Sequence, residues 1–160
     1  MTPEQEIKMI VTRRSMMMLA TAGAAATLMP RGAGAQVEIP QMEVARSAAC
    51  GCCGAWVEHV RRAGFVMRET VREDLDVVKA ELGVPSDLQS CHTATIGGFV
   101  IEGHVPAAEI LRLLEERPAA TGLAVAGMPA GSPGMEVAGE KDVYEVVLFG
   151  KAGRQVFARY

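Results

Sequence analysis

Apolar and polar positions along residues 37–160 fall into short blocks of alternating period, and those blocks predict the elements. Val37 to Arg46 is extended, with Ile39, Met42 and Val44 apolar, and predicts a first strand. Gly54 to Arg62 predicts a helix, because Trp56, Val57, Val60 and Ala63 share one face and Gly64 is placed to cap it. Phe65 to Val71 predicts a second strand. Asp74 opens a second helix with Leu75, Val78 and Leu82 pointing inward; Gly83 ends it and Pro85 prevents its return. Cys91–Ile96 and Phe99–Ile101 predict two strands joined at the turn pair Gly97-Gly98. Pro106 suits the first turn of a third helix, which has a wide apolar face of Ile110, Leu111, Leu113 and Leu114 and is closed by Pro118. Residues 119–140 are rich in Gly and Pro and predict a long loop, a feature that in a small domain is functional or disordered. Val143–Phe149 and Arg154–Tyr160 predict a closing strand pair around Lys151-Ala152-Gly153. Met42 and Met67 fall on strands and are assigned to the core.

The order strand, cysteine loop, helix, strand, helix, hairpin, helix is that of an α/β fold. A hairpin and a strand–helix–strand unit together require a mixed sheet. The finer expectation, a thioredoxin-like sandwich, leans on where the cysteines fall.

Composition changes this picture at the front of the chain. The 160 residues suffice for one ordinary domain, and 49% are hydrophobic but only 4% aromatic, so aliphatic side chains must fill the core. Residues 1–35 read as an export signal. Arg13-Arg14 is a twin-arginine pair, Met16 to Met29 is an uncharged run, and Ala33-Gly34-Ala35 is an A-x-A cleavage signature that puts the mature start at Gln36. That run of about fourteen residues is shorter than the roughly twenty a membrane helix needs, so no stable membrane span is expected after cleavage. The expected compartment is a bacterial periplasm, with residues 36–160 as the functional domain. Removing 1–35 takes away four basic residues (Lys8, Arg13, Arg14, Arg31) and two acidic ones (Glu4, Glu6), moving the formal charge from -3 to -5. Such a domain, without a basic run, gives no electrostatic case for nucleic acid or an anionic membrane.

The chemistry is concentrated in Cys50-Gly51-Cys52-Cys53 and in Ser90-Cys91-His92, which hold all four cysteines. The first stretch lies between a strand and a helix start, where unpaired N–H groups favour thiolate. Three readings compete. Two disulfides would staple a small secreted domain, but Cys50, Cys52 and Cys53 read as too close in sequence to pair comfortably with one another. A thiol–disulfide oxidoreductase would use the C-x-x-C of Cys50 and Cys53 and leave two thiols over. A soft-metal site would use all four: thiolate sulfur selects Cu(I), Zn(II) or iron–sulfur clusters, and bridging sulfurs could hold more than one Cu(I). Among the histidines, His92 is next to Cys91, His59 lies about two turns beyond the cysteines, and His104 could fold back to the site or merely open the third helix. Met128 and Met135 are either loop packing or adaptable Cu(I) contacts.

These residues together resemble the CopG-like family of periplasmic metal-binding proteins, which is associated with copper resistance. The resemblance is carried by Cys50-Gly51-Cys52-Cys53 with Trp56, Gly83-Val84-Pro85, Ser90-Cys91-His92-Thr93-Ala94, Ile101-Glu102-Gly103-His104-Val105-Pro106-Ala107, Gly127-Met128-Pro129 and Gly131-Ser132-Pro133-Gly134-Met135-Glu136, and spans residues 42 to 160. It implies a thioredoxin-like fold and copper bound through Cys50, Cys52, Cys53 and Cys91, with His104 and Met135 also in family motifs. It also implies a setting beside copper efflux and oxidase systems, a periplasmic copper donor or acceptor as partner, and, as an alternative to storage, a redox role between Cu(I) and Cu(II). Two departures, Ser47-Ala48-Ala49 for Ser-Pro-Thr and Ala126 for Pro, change loop stiffness and not ligands. No Pro follows Cys91 directly, where thioredoxin-type enzymes carry one, which counts against the oxidoreductase.

Overall fold

Strand β1 (Met42–Arg46) delivers the chain to the cysteine cluster. In the computed structural model, which describes residues 39–136 and 138–160, it is followed by α1 (Gly51–Arg62), β2 (Met67–Val71), α2 (Leu75–Glu81) and a 3-10 turn at Ser86–Leu88. Then come β3 (His92–Ile96), β4 (Phe99–Glu102), α3 (Ala107–Glu116), β5 (Gly122–Ala124), β6 (Glu145–Gly150) and β7 (Gly153–Arg159). The proposed export signal, 1–35, lies outside the described residues. No helix among the described residues is long and apolar enough to cross a membrane.

The strands form one mixed sheet in the order β2-β1-β3-β4-β5-β6-β7. β1/β2 and β4/β5 are parallel, as their helical crossovers α1 and α3 require, and the other pairs are antiparallel. Strand alternation sorts the core into two layers. Met42, Val44, Ala94, Ile96, Ile101, Leu123, Val146 and Leu148 pack with Trp56, Val57 and Val60 of α1 and Ile110, Leu113 and Leu114 of α3. On the other face, Val100, Ala124 and Phe149 pack with Val84 and Leu88 from the segment after α2. The α/β class and the mixed sheet are therefore as the periodicity predicts.

Four local differences are informative. Helix α1 begins at Gly51, three residues before the expected start, with Cys50 extended as its N-cap; Cys52 and Cys53 thus lie on the first helical turn. Pro106 is not in α3 but immediately before it, with Ala107 the first helical residue. The loop expected at 119–140 conceals β5, a three-residue strand buried throughout. A strand covered on both faces shows no alternation for sequence patterning to detect. Leu111, assigned to the apolar face of α3, is 38% exposed, and the inward residue of α2 is Lys79, while Leu75, Val78 and Leu82 are only half-buried.

β5 depends on Gly122, where a Cβ would lie 1.8 Å from the Val100 carbonyl oxygen and 2.6 Å from its carbon. Both obstacles are backbone, so Gly122→Ala is expected to destabilise the fold by about 3 kcal/mol through forced overpacking. Gly54→Ala, in mid-α1 with open space around it, is expected to be neutral or to stabilise by up to about 1 kcal/mol. Urea unfolding of the two variants checks the pair.

Candidate metal centre

Three elements converge at the end of the sheet where β1 leads into α1. The first turn of α1, behind its N-cap Cys50, carries Cys52 and Cys53. The residue just before β3 is Cys91, and the segment between β4 and α3 carries His104. The sulfurs of Cys50, Cys52, Cys53 and Cys91 all lie within 4.8 Å of one another. Cys52 Sγ is 3.4 Å from Cys50 Sγ and 3.9 Å from Cys91 Sγ. Cys50 and Cys53 are joined as a disulfide, their Cα atoms 5.4 Å apart, and Cys52 and Cys91 are free thiols. This corrects the expectation that the three clustered cysteines cannot pair comfortably with one another. A helical turn brings residues three apart to one face, and the separation falls within the usual disulfide range.

The histidines divide. His104 is fully buried and folds back onto the site: its Nε2 is 3.0 Å from Cys91 Sγ and its Nδ1 is 2.8 Å from the Pro133 carbonyl oxygen. A carbonyl can only accept, so Nδ1 carries the proton and the Nε2 lone pair faces the sulfur. An imidazole oriented by a backbone carbonyl is the usual arrangement of a metal-ligating histidine. His92, also fully buried, has Nδ1 3.3 Å from Cys91 Sγ and an Nε2 without a hydrogen-bond partner. With Cys91 these two rings form a second donor group that shares its sulfur with the first. His59 lies elsewhere, its Nε2 accepting the Ala107 N–H at 3.3 Å at the start of α3.

The Gly/Pro loop closes over the cluster. Met128, 53% exposed, brings Sδ to 4.0 Å from Cys52 Sγ. Met135 enters through its backbone, its N–H bonding the Ser132 carbonyl and its own carbonyl accepting from Gly131 N–H, in the turn that presents Pro133. At Gly134 a Cβ would meet Trp56 N at 2.6 Å and Cys52 O at 2.9 Å, so the loop rests directly on α1. Ser90 Oγ donates to the Gly127 carbonyl and holds the other end.

Beneath the cluster, on the opposite face of the sheet, lies a buried polar network that sequence reading missed. Lys79 Nζ donates to Glu102 Oε1 at 2.7 Å and Thr93 Oγ1 at 2.8 Å. Thr93 Oγ1 donates to Glu102 Oε2 at 2.6 Å, and Ser90 N–H donates to Glu102 Oε1 at 2.6 Å. Its signal in the sequence is faint: Lys79 stands four residues after Leu75 on the apolar stripe of α2, and Glu102 ends the otherwise apolar Phe99-Val100-Ile101. Burial raises the Glu102 carboxyl above its ordinary value, while Lys79, Thr93 and the Ser90 N–H pull it down.

Burial also sets the protonation of the centre. The Cys91 thiol is pushed up to about 11, chiefly by burial and then by Cys52, so the metal-free site holds it as a thiol, with the His104 lone pair placed to accept its proton. His92 is pushed down to about 3 by burial, then by His104 and Lys79. His104 and His59 are lowered for the same first reason. A histidine held neutral in the fold contributes stability that is complete above its unfolded value near 6.5 and is lost as pH falls toward its folded value. The metal-free protein is therefore expected to weaken progressively below about pH 6.5. His92 alone accounts for a loss on the order of 4 kcal/mol by pH 3. Urea midpoints between pH 7.5 and 4 check this, and a flat profile would contradict the buried neutral rings.

Comparison with known proteins now bears on this geometry. The family described as "Protein of unknown function, DUF411" matches residues 88–135. None of the curated proteins matches the chain. Two solved structures do, both forms of a copper resistance protein copG. Form 2 is 47% identical, with a TM-score of 0.72 over 76% of this chain and 98% of that one. Form 1 gives the same identity and TM-score over 77% and 98%. At that identity over nearly the whole length of the solved proteins, the chain belongs to the CopG-like family of copper-resistance proteins.

Proposed function

We propose that this is a periplasmic copper-binding protein that holds Cu(I) on the thiolates of Cys50, Cys52, Cys53 and Cys91 and so supports copper tolerance. The convergence of four sulfurs within 4.8 Å of one another, from two separate stretches of chain, carries the reading. Soft sulfur donors in so small a volume suit Cu(I) better than any hard cation, and one sulfur can bridge two ions. A thioredoxin-like description of the fold goes with it: the cysteines sit at the junction of β1 and α1, as they would in that family. His104 Nε2, already oriented by Pro133, is an available nitrogen donor, and Met128 an available thioether at the rim. The periplasmic setting rests on the proposed signal at 1–35.

Full use of the four sulfurs requires that the Cys50–Cys53 disulfide take up two electrons and two protons to give two thiols. Binding then displaces the thiol protons, Cys91's among them, so affinity rises with pH. A second reading is favoured by the disulfide itself: a redox protein that exchanges thiols through Cys50 and Cys53 or cycles copper between Cu(I) and Cu(II).

After anaerobic reduction, the protein is expected to bind at least one equivalent of Cu(I) with measurable proton release. Cys91→Ser is expected to weaken binding more than tenfold in competition with a Cu(I) chelator, equivalent to over about 1.4 kcal/mol. Unchanged affinity in that variant would refute the convergent site. Metal-free insulin reduction that depends on Cys50 and Cys53 would favour thiol exchange.

A further inference from the structure

We infer that the buried pair Lys79–Glu102 is a positioning device for Cys91, setting where its sulfur stands and thereby how tightly copper is held; this rests on the copper reading above. Lys79 is 3% exposed and Glu102 is fully buried. Glu102 grips both residues that flank Cys91-His92: Oε1 accepts the Ser90 N–H at 2.6 Å, and Oε2 accepts the Thr93 hydroxyl at 2.6 Å. The Thr93 end is secured independently, because Thr93 pairs with Glu102 in the β3/β4 ladder. The Ser90 end lies outside the ladder, and apart from the carboxylate it is tied only to the loop, through Ser90 Oγ to the Gly127 carbonyl and Gly127 N–H to the Gln89 carbonyl at 3.2 Å. Ladder pairing of β3 stops at His92, opposite Arg46, and Cys91 stands one residue beyond it. The Ser90 N–H bond to the carboxylate is therefore the nearest backbone anchor upstream of Cys91. It fixes the turn that directs Sγ to 3.0 Å from His104 Nε2 and 3.9 Å from Cys52 Sγ.

Lys79 supplies the other half of the device. Its ammonium donates to Glu102 Oε1 and to Thr93 Oγ1, so the Thr93 hydroxyl must send its own proton to Oε2. Every donor around the carboxylate is thereby assigned, and the carboxylate is left one orientation. The same β4 end continues through Gly103, at φ +70 with a Cβ position 2.6 Å from Ser90 Cβ, into His104. One carboxylate thus references Cys91 and the strand leading to its histidine partner to the same point.

Stability alone does not call for these charges. Replacing a buried ion pair by apolar residues of similar size is commonly neutral or stabilising, whereas removing one partner is strongly destabilising. That contrast gives the test, in the full mature chain. Lys79→Met with Glu102→Leu is expected to keep the urea midpoint of the wild type while Cu(I) affinity falls at least tenfold in chelator competition. In the metal-free, reduced variant, alkylation of Cys91, followed peptide by peptide in a mass spectrometer, is expected to quicken at least threefold. A folded double variant with wild-type affinity and wild-type Cys91 alkylation overturns the inference. Should the double variant not fold, Glu102→Gln, which keeps the chain length and one acceptor oxygen, decides by the same two readouts, with at least a threefold change expected in each. If the wild type binds no Cu(I), the copper reading fails, and the alkylation rates alone decide whether the pair positions Cys91.

Discussion

The Trp56 indole N–H donates to the Val105 carbonyl at 2.9 Å, and this bond joins the two stretches of chain from which the centre is built. Trp56 is fully buried in the middle of α1, three residues after Cys53. Val105 follows His104. The bond therefore fixes the helix that carries Cys52 and Cys53, with Cys50 at its N-cap, against the segment that carries the buried imidazole. The same ring lies over His92, centroids 4.3 Å apart, and the backbone of Trp56 forms the floor on which Gly134 rests. Burying an indole is worth several kcal/mol by area alone, on the order of 4–6 for its roughly 150–250 Å². That energy holds three distant stretches of chain at one place, where each sulfur or nitrogen alone would contribute little.

The centre runs against ordinary burial preferences. Two neutral imidazoles, an ammonium, a carboxylate and a half-buried thiol are kept out of water around one end of the sheet. Most of their donors and acceptors are matched, and His92 Nε2 is an orphan. Such an arrangement costs stability unless its polar groups are satisfied. Here the expense falls on the residues beside Cys91, where the proposed soft ion would replace a proton. The loop from Gly127 to Met135 contributes to the same economy: Pro133 oriented to His104 and Ser90 bonded to Gly127 make it part of the wall.

Much of this was legible in the sequence. Helical and strand periods located the three α-helices and six of the seven strands, and the Gly97-Gly98 turn marked β3 and β4 although β4 is buried throughout. β5 escaped because Gly122-Leu123-Ala124 is only three residues long, dry on both faces and without a turn pair beside it to mark it. The cysteines were legible as a cluster, since their spacing alone puts them near a helix start. Their pairing was not: Cys50 meets Cys53 across the first turn of an α1 that begins at Gly51, three residues before the start that the apolar pattern marks. Lys79 was hidden for a related reason. A lysine on a helix reads as a solvated residue until the strand across from it is known to end in a buried acid.

Trp56 is the chain's one tryptophan. Its ring stands one side chain, His92, away from the Cys91 sulfur. Excited at wavelengths that spare Tyr144 and Tyr160, the protein emits from a single indole in a dry environment beside the donor cluster. If the proposed metal ion binds at Cys91, it would quench that emission and its loss would restore it, which would make occupancy readable optically in unlabelled protein.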